Sequence, residues 1–372
     1  MKNRKSDILT CVLFCGFLFA MLALFLALPR QSFSEKEKRY LAETPKLTWK
    51  NLTTGKYGED VESWLADHIP GRDFLVGFNA YVDKLTGRQV TKDIYVAEGD
   101  RLVEAPGVWD QQTVEKNMNA INGFVEKIRQ PVDLMIVPSA GFCLDDTIRG
   151  LSDPYRDTQM IRDIYAMADS NIRAIDLIPT FTEVQDPASL FYRTDHHWTS
   201  RGAYAAYKAY MELKGHSALA PEDFTVTAYD GFYGSTYSRS GLWLTESEPI
   251  ELWDSGVEFT VTNNDSQKVS SSVFYPERLE ELDKYTVFLD GNHSLVRIQN
   301  PQGSGKLLVI RDSYSNCLGG FLAESYGEVV LVDLRHYREA VSALAQQEDF
   351  DNILVCYSCA NFLTDTNLML LR

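Results

Sequence analysis

The sequence predicts an α/β protein built on an open parallel sheet that is sandwiched by helices. Short apolar runs of strand length, such as residues 132–137 and 306–310, alternate with segments of helical periodicity. One helix is predicted between Val108 and Arg129, where apolar residues recur every three or four positions. Alternation of this kind is typical of strand-helix-strand units, which place parallel strands in one sheet covered on both faces.

The remaining elements continue this alternation towards the C-terminus. Further helices are expected near 154–169, 200–213, 314–325 and 336–346. Further strands are expected at 174–178, 328–332 and 352–357, which makes a sheet of about five strands. The stretch from about 215 to 300 breaks the pattern with several glycines and an alternating run at 257–261. We therefore expect a β-rich insertion there.

The first thirty residues predict a membrane-spanning helix. Lys2, Arg4 and Lys5 precede an apolar run from Ile8 to about Pro29, which is long enough to cross a hydrocarbon layer. The positive flank favours a cytoplasmic N-terminus with the bulk of the chain outside. A cleaved signal peptide, which would give a secreted protein, is the alternative.

Three segments are predicted: an anchor or signal at 1–30, a juxtamembrane tether with an N-terminal extension at 31–107, and a main domain at 108–372 that contains the insertion. The chain has 372 residues, a formal net charge of −16 and a pI near 4.9. Such a charge repels phosphate backbones, so nucleic acid is not an expected partner.

The six cysteines do not predict a disulfide framework in a chain of this length. Cys356 and Cys359 have C-x-x-C spacing, but no second pair completes a zinc site. We expect both to be buried residues at the end of a core strand.

The block Thr194-Asp195-His196-His197-Trp198 carries the first candidate catalytic residues. In an extended loop, residues two apart point to the same side, so Asp195 is expected to orient His197 as a general base. His196 would then point away. A metal site made of Asp195, His196 and His197 is an alternative, but three adjacent residues are not expected to converge on one ion. We therefore predict no metal.

Ser313 is the candidate nucleophile because it follows the predicted strand 306–310 and precedes a helix. A strand-to-helix turn exposes a hydroxyl and directs backbone N–H groups at a developing oxyanion. A helix cap is the competing interpretation of such a serine. Ser315, the nearest rival, is expected to serve as a cap or to face solvent.

Tyr314, Arg335 and Tyr337 are candidates for binding substrate or stabilising the oxyanion. Arg335 and Tyr337 follow the next predicted strand, at the edge of the sheet where ligands bind in open α/β folds. Either residue could equally serve packing or the surface.

These blocks resemble the DHHW family of extracytoplasmic proteins. The resemblance rests on 194–198 and 306–337, with Phe33-Ser34-Glu35 and the segment 64–72 in support. The family is similar to the alginate O-acetyltransferases of the AlgX and AlgJ type, within the SGNH-hydrolase-like superfamily. The resemblance implies an SGNH-hydrolase-like fold with permuted motif order, in which Asp195 is the orienting acid, His197 the base and Ser313 the nucleophile.

The resemblance further implies an extracytoplasmic O-acetyltransferase that acts on a cell-surface or cell-wall polysaccharide through an acetyl-serine intermediate. It implies no soluble cofactor. Because acetyl-CoA is cytoplasmic, it suggests a multi-pass membrane acyltransferase as the supplier of acetyl groups. A carbohydrate O-acetyl esterase and an inactive glycan-binding or scaffold protein are the alternatives.

Overall fold

The computed structural model describes residues 4–88, 90–148, 154–266 and 268–371, and Lys2 lies outside them. The chain divides into two compact units. The first comprises the residues up to Gly87 together with Gly241–Leu244, and the second comprises the rest.

The first unit is helical. Its elements are α1 (Arg4–Ala27), β1 (Phe33–Ser34), β2 (Arg39–Tyr40), α2 (Trp49–Thr53), α3 (Lys56–His68) and α4 (Arg72–Leu85). Within α1, residues Ser6–Ala27 have a mean hydropathy of 2.7. By length and composition this helix could cross a membrane, a property that signal sequences share.

The second unit contains the predicted alternation of strands and helices. Its first half consists of β3 (Val90–Thr91), β4 (Ile94–Ala97), β5 (Arg101–Glu104), α5 (Gln111–Ile128), β6 (Val132–Val137), α6 (Ala140–Cys143), α7 (Asp157–Ala166), β7 (Ile172–Ile175), α8 (Ile178–Thr182), α9 (Ser200–Leu213) and β8 (Thr225–Phe232). Its second half consists of α10 (Ser235–Ser240), β9 (Glu248–Asp254), β10 (Thr260–Asn263), β11 (Val269–Ser270), β12 (Leu295–Gln299), β13 (Lys306–Arg311), α11 (Ser315–Ser325), β14 (Glu328–Asp333), α12 (Val341–Gln347), β15 (Asn352–Ser358) and α13 (Cys359–Thr364).

An eight-stranded sheet in the order β11-β10-β12-β14-β13-β15-β6-β7 forms the centre of this unit. The strands from β14 to β7 run parallel, as the sequence predicts. The sheet is wider than expected because the insertion adds β12, β10 and β11 to its edge in antiparallel orientation. The hairpin β8-β9, also from the insertion, remains separate.

Two hydrophobic clusters cover the two faces of the sheet. Along β13, Leu307 and Val309 belong to the first cluster, and Leu308 and Ile310 belong to the second. Helices α9 and α11 contribute to the first cluster, whereas α5, α7 and α12 contribute to the second. The prediction of an open α/β sheet sandwiched by helices is therefore confirmed.

Two predicted elements are displaced. The strand expected at 174–178 lies at Ile172–Ile175, because Ile178-Pro179 already opens α8. The helix expected from residue 336 begins only at Val341. The preceding residues form a turn in which the backbone N–H groups of His336 and Tyr337 both donate to Asp333 O.

The prediction for the C-x-x-C pair is confirmed. Cys356 at the end of β15 and Cys359 at the start of α13 are both buried. Both are free thiols, as are the other four cysteines.

Candidate active site

Asp195, His197 and Ser313 form a continuous chain of hydrogen bonds. The Nδ1 atom of His197 lies 2.5 Å from Asp195 Oδ1, and its Nε2 atom lies 2.8 Å from Ser313 Oγ. All three residues are buried, and Ser313 is the most exposed of them at 8%. Residues that are 116 positions apart thus adopt the arrangement in which a carboxylate orients a histidine against a hydroxyl.

The loop between Phe191 and Trp198, which we call the histidine loop, is held by the residues on either side of it. An isolated bridge joins Phe191 to Trp198, so the loop closes on itself as a bend rather than an extended segment. The carboxylate of Glu248 on β9 accepts hydrogen bonds from the backbone N–H groups of Arg193 and Thr194 and from the Thr194 hydroxyl. These bonds fix the start of the loop to the β8-β9 hairpin.

The second carboxylate oxygen of Asp195 is held by the insertion. The backbone N–H of Ser235 donates to Asp195 Oδ2 over 2.6 Å. The preceding residue must be a glycine, because a Cβ atom on Gly234 would lie 2.1 Å from Asp195 Cβ and 2.3 Å from Oδ2. The insertion therefore supplies part of the support for the acidic residue.

Asp312 fixes the turn that presents Ser313. Its Oδ1 atom accepts from the backbone N–H of Tyr314 over 3.0 Å. Its Oδ2 atom accepts from the backbone N–H and hydroxyl of Ser358 and from the Asn361 side chain, over 2.8, 3.0 and 2.7 Å. The buried carboxylate thus joins the carboxyl ends of β13 and β15, which are neighbours in the sheet.

Trp198 and Tyr314 connect the histidine loop to the turn at residues 312–314, which we call the serine turn. Trp198, fully buried, donates from Nε1 to the backbone oxygen of Tyr314 over 3.0 Å. In return the hydroxyl of Tyr314 donates to the backbone oxygen of His196. These reciprocal bonds keep His197 and Ser313 at a fixed separation, which gives the tryptophan of the block a positional role.

Tyr285, again from the insertion, lies flat on the imidazole of His197. The two ring centroids are 3.9 Å apart and the rings are within 8° of parallel. The tyrosine is buried, and its hydroxyl has no hydrogen-bond partner among the residues that the structure describes. Its contribution is therefore to limit the motion of the imidazole and to shield it from water.

His196 does not point away from its neighbour, contrary to the prediction. The rings of His196 and His197 lie 3.8 Å apart, because the loop bends where an extended segment was expected. His196 Nδ1 lies 2.6 Å from the Ser235 hydroxyl and 3.5 Å from Asp195 Oδ1, and within the described ranges His196 forms no hydrogen bond to Ser313. Both histidines therefore contact Asp195, but only His197 bonds to Ser313.

The side chains of Asp195, His196 and His197 also converge, with possible ligand atoms within 4.8 Å of one another. The expectation that three adjacent residues would not converge was wrong, for the same reason. Both ring nitrogens of His197 nevertheless have hydrogen-bond partners in Asp195 and Ser313. Both nitrogen atoms of the His197 ring are thus occupied by hydrogen bonds.

The charge of Asp195 is strongly favoured by its surroundings. Burial by itself raises the pKa of the carboxyl group, but His196, His197 and the bound N–H groups hold that pKa well below its usual value. Burial and the nearby His197 lower the pKa of His196. At neutral pH the site therefore combines a carboxylate with a neutral His196.

Comparison with known proteins identifies the family. The model of the DHHW protein family matches residues 110–332, which is more than half of the chain. The chain belongs to the DHHW family. The matched residues include the Asp195-to-Trp198 block and Ser313, and no curated protein sequence matches the chain.

Solved structures share the fold of this DHHW protein. A DHHW family protein from Eubacterium siraeum DSM 15702 is 20% identical, with a TM-score of 0.66 over 76% of this chain and 95% of that one. Bacillus cereus PatB1 is 20% identical, with a TM-score of 0.61 over 74% of this chain and 98% of that one. PatB1 has also been determined with a sulfonyl adduct. The O-acetyltransferase domain of Pseudomonas putida AlgJ matches at 14% identity and a TM-score of 0.45, over 73% of this chain and 92% of that one.

The other predicted site residues of the DHHW protein occupy different environments. Arg335 forms a bidentate ion pair with Asp333, at the carboxyl end of β14 beside β13. Tyr337 is buried in the second cluster, on the other face of the sheet from Tyr285, and its hydroxyl lies 3.5 Å from Glu339. The structure does not bring Tyr337 to the hydrogen-bonded chain.

The two residues beside Ser313 are both buried. The Tyr314 hydroxyl is engaged with the histidine loop, which leaves its ring as a packing element. Ser315 is fully buried, so the expectation that it would be a cap or face solvent was wrong. It lies at the start of α11, whose first residues are all enclosed by the core.

A buried polar cluster beside the serine turn was missed by sequence reasoning. The guanidinium of Arg311 is fully buried, donates to the side-chain oxygen of Asn316 and lies 3.4 Å from that of Asn292. Asn316 in turn donates to Asn292 over 3.0 Å. A basic residue at the end of an apolar strand gives no sign in the sequence that it will be enclosed by amides.

Proposed function

We propose that this protein transfers acetyl groups to hydroxyl groups of an extracytoplasmic polysaccharide through an acetyl-Ser313 intermediate. The observation that carries the proposal is the chain from Asp195 through His197 to Ser313, with separations of 2.5 and 2.8 Å. Geometry of this kind activates a serine hydroxyl that is otherwise a poor nucleophile.

In the first half of the reaction, His197 Nε2 removes the proton of Ser313 as its oxygen attacks the acetyl carbonyl carbon. Asp195 holds the other ring nitrogen and stabilises the imidazolium that forms. His197 then returns the proton to the leaving group of the donor as the tetrahedral intermediate collapses. Ser313 is left as an acetyl ester.

The second half repeats these steps with a sugar hydroxyl. His197, neutral again, accepts the proton of the hydroxyl as its oxygen attacks the acetyl carbon, and Ser313 is released when the proton returns to its oxygen. The backbone N–H of Ser313 is the candidate donor to the oxyanion, because those of Tyr314 and Ser315 already donate to Asp312. Arg335 is proposed to hold the substrate, because it lies at the same edge of the sheet as Ser313.

The proposal of a transferase is supported by the motif, which resembles that of the alginate O-acetyltransferases. An O-acetyl esterase would use the same acetyl-serine and differ only in accepting water. A transferase outside the cytoplasm needs acetyl groups delivered across the membrane, so we propose a multi-pass membrane acyltransferase as partner and α1 as the membrane anchor. The proposed steps involve no soluble cofactor.

The test is to trap the acetyl enzyme. The full chain in mild detergent is incubated with a chromogenic acetyl ester, and the modified peptide is mapped by mass spectrometry. We expect acetyl on Ser313, and none in Ser313→Ala. Reaction of a sulfonyl fluoride with Ser313 in place of the ester is a second readout, since both reagents require an activated hydroxyl. Acetylation of another residue instead of Ser313, or full activity in Ser313→Ala, would contradict the proposal.

The choice of acceptor is tested in the same assay. Added oligosaccharides should accelerate ester consumption and become acetylated if the protein is a transferase. Consumption that is unchanged by any oligosaccharide, with release of acetate alone, would identify an esterase. A correctly folded chain with no acetyl-Ser313 at all would favour the inactive glycan-binding protein.

A further inference from the structure

Helix α4 in the first unit exposes a continuous apolar stripe. The large side chains on this stripe are Phe74, Leu75, Phe78, Val82 and Leu85. At 100° per residue they fall within a sector about 100° wide. The rings of Phe74 and Phe78 are 71% and 59% exposed and stack on each other with centroids 6.0 Å apart.

The other side of α4 is already packed. Gly77 and Ala80 are buried, and Gly77 lies so close to Trp243 that a Cβ atom would be 2.7 Å from its ring. Trp243 also donates from Nε1 to the backbone oxygen of Asp73. The exposed stripe is therefore a second apolar face, and contiguous exposed apolar surface marks a site of contact.

A cavity connects this face to the end of α1. Its volume is about 370 Å³. Its walls include Phe25, in the last turn of α1, and Leu28, just after that helix. Ile69, just after α3, and Phe74, in the first turn of α4, line the same cavity. If α1 spans a bilayer, its last turn lies at the outer surface, and Phe74 then lies at the same depth.

Two arginines at this cavity differ in their pairing. The Arg30 guanidinium lies 4.1 Å from the ring centroid of Trp64 and 5.0 Å from that of Phe25. In the described parts of the chain no carboxylate pairs with Arg30. Arg72, by contrast, pairs with Glu37 over 2.7 Å and lies 3.3 Å from Asp67 and 3.6 Å from Asp73, so carboxylates already balance its charge. The guanidinium of Arg30, which has no such partner, suits the oxygens of a phosphate group.

We propose that the cavity and the exposed face of α4 form a phospholipid-binding surface. The phosphate of the headgroup lies against Arg30, and an acyl chain lies along Phe74 and Phe78. Apolar side chains of an interfacial helix and cations near it are the combination that binds lipid headgroups at a membrane surface. The inference depends on α1 remaining in the chain, and it involves none of the residues proposed for acetyl transfer.

Photocrosslinking in the membrane tests the apolar part. The full chain is produced with benzoylphenylalanine in place of Phe78 or, as a matched control, in place of the exposed Asn79, which points 100° away. We expect lipid adducts by mass spectrometry at position 78 and at least fivefold fewer at position 79. Adducts to another protein at position 78, equal labelling at both positions, or no lipid adduct would overturn the proposal.

Lipid retention tests the polar part. The full chain in detergent is mixed with phosphatidylglycerol and examined by native mass spectrometry, with glycerol phosphate as the soluble comparison. Arg30→Gln should weaken lipid retention roughly tenfold, as expected for loss of a charged hydrogen bond, and Lys50→Gln, an exposed control on α2, should not. Equal retention by Arg30→Gln and the parent, or equal binding of glycerol phosphate and lipid, would contradict a lipid site.

Discussion

His196 and His197 are adjacent in sequence and in space, and both lie near Asp195, but only His197 contacts Ser313. His197 alone connects Asp195 to Ser313, whereas His196 contacts the Ser235 hydroxyl. We predict that His197→Ala lowers kcat/KM for an acetyl ester by several powers of ten, on the order of other triad deletions. His196→Ala should cost about tenfold or less. Steady-state kinetics on both variants measures these losses, and circular dichroism verifies that both variants fold. An equal loss in His196→Ala would contradict the assignment of His197 as the base.

Gly234 is the residue at which a single methyl group should damage the site. Its added Cβ would lie 2.1 Å from Asp195 Cβ, so the carboxylate must move away from His197. We predict that Gly234→Ala lowers kcat/KM by at least about a hundredfold, since misplacement by about 1 Å is costly in catalysis. The matched control is Gly123→Ala on α5, where a Cβ atom meets nothing within 4 Å. Full activity in Gly234→Ala would show that Asp195 does not need its observed position.

At the scale of elements, the strands and helices with strong periodicity were predictable. The bounds of α9 and the start of β13 agree with prediction to the residue, because their apolar positions are continuous and flanked by polar breaks. The start of α12 was not predictable, since the ion pair of Arg335 with Asp333 stabilises a turn at residues that have helical propensity. Tertiary contacts override local preference there.

The candidate site was predictable only in part, for a related reason. Asp195, His197 and Ser313 are residue types suited to acyl transfer and lie in short blocks, so the sequence could single them out as candidates. Tyr285 and Gly234 belong to the insertion, and their roles depend on long-range packing against the histidine loop. Tyrosines and glycines are common in loops for many structural reasons, so no local sequence pattern marks these two as part of the site.

Helix α11 and the segment after β9 meet at a carboxyl group that titrates near neutral pH. Burial, followed by the charge of Asp254, raises the pKa of Glu324 to about 7, although the Ser255 hydroxyl donates to it. The folded state therefore keeps its proton at pH values where the unfolded chain has lost it. Stability must fall as the pH rises from about 4.5 to about 7, and the loss persists above that range.

Glu324→Gln should remove this dependence. We predict that the free energy of unfolding of the parent falls by about 1 to 3 kcal/mol more than that of Glu324→Gln between pH 5 and pH 8. Thermal unfolding of the full chain at both pH values measures the difference, and Glu277→Gln, an exposed position, is the control. The same pH dependence in the parent and in Glu324→Gln would show that the carboxyl group titrates normally.

At the scale of the whole molecule, the proposed chemistry constrains where each unit must work. The hydrogen-bonded chain and its supports all belong to the second unit, while the first unit holds the apolar helix α1. An acetyl-serine enzyme that modifies a polysaccharide outside the cell requires its second unit outside the membrane. An acetyl donor that arrives through the bilayer is used most effectively by an enzyme held close to it.

We therefore predict that α1 stays attached and holds the protein in the membrane with the second unit outside. The apolar segment Ser6–Ala27 has 22 residues, which corresponds to about 33 Å of helix at about 1.5 Å per residue and matches the hydrocarbon core. In cell fractionation the full-length chain should sediment with membranes and resist extraction by high salt, since apolar burial rather than surface charge would hold it. Protease added to intact cells should digest the residues beyond Arg30. A soluble mature protein that begins near residue 30 would instead identify α1 as a cleaved signal, and it would also remove the basis for a lipid site at the end of α1.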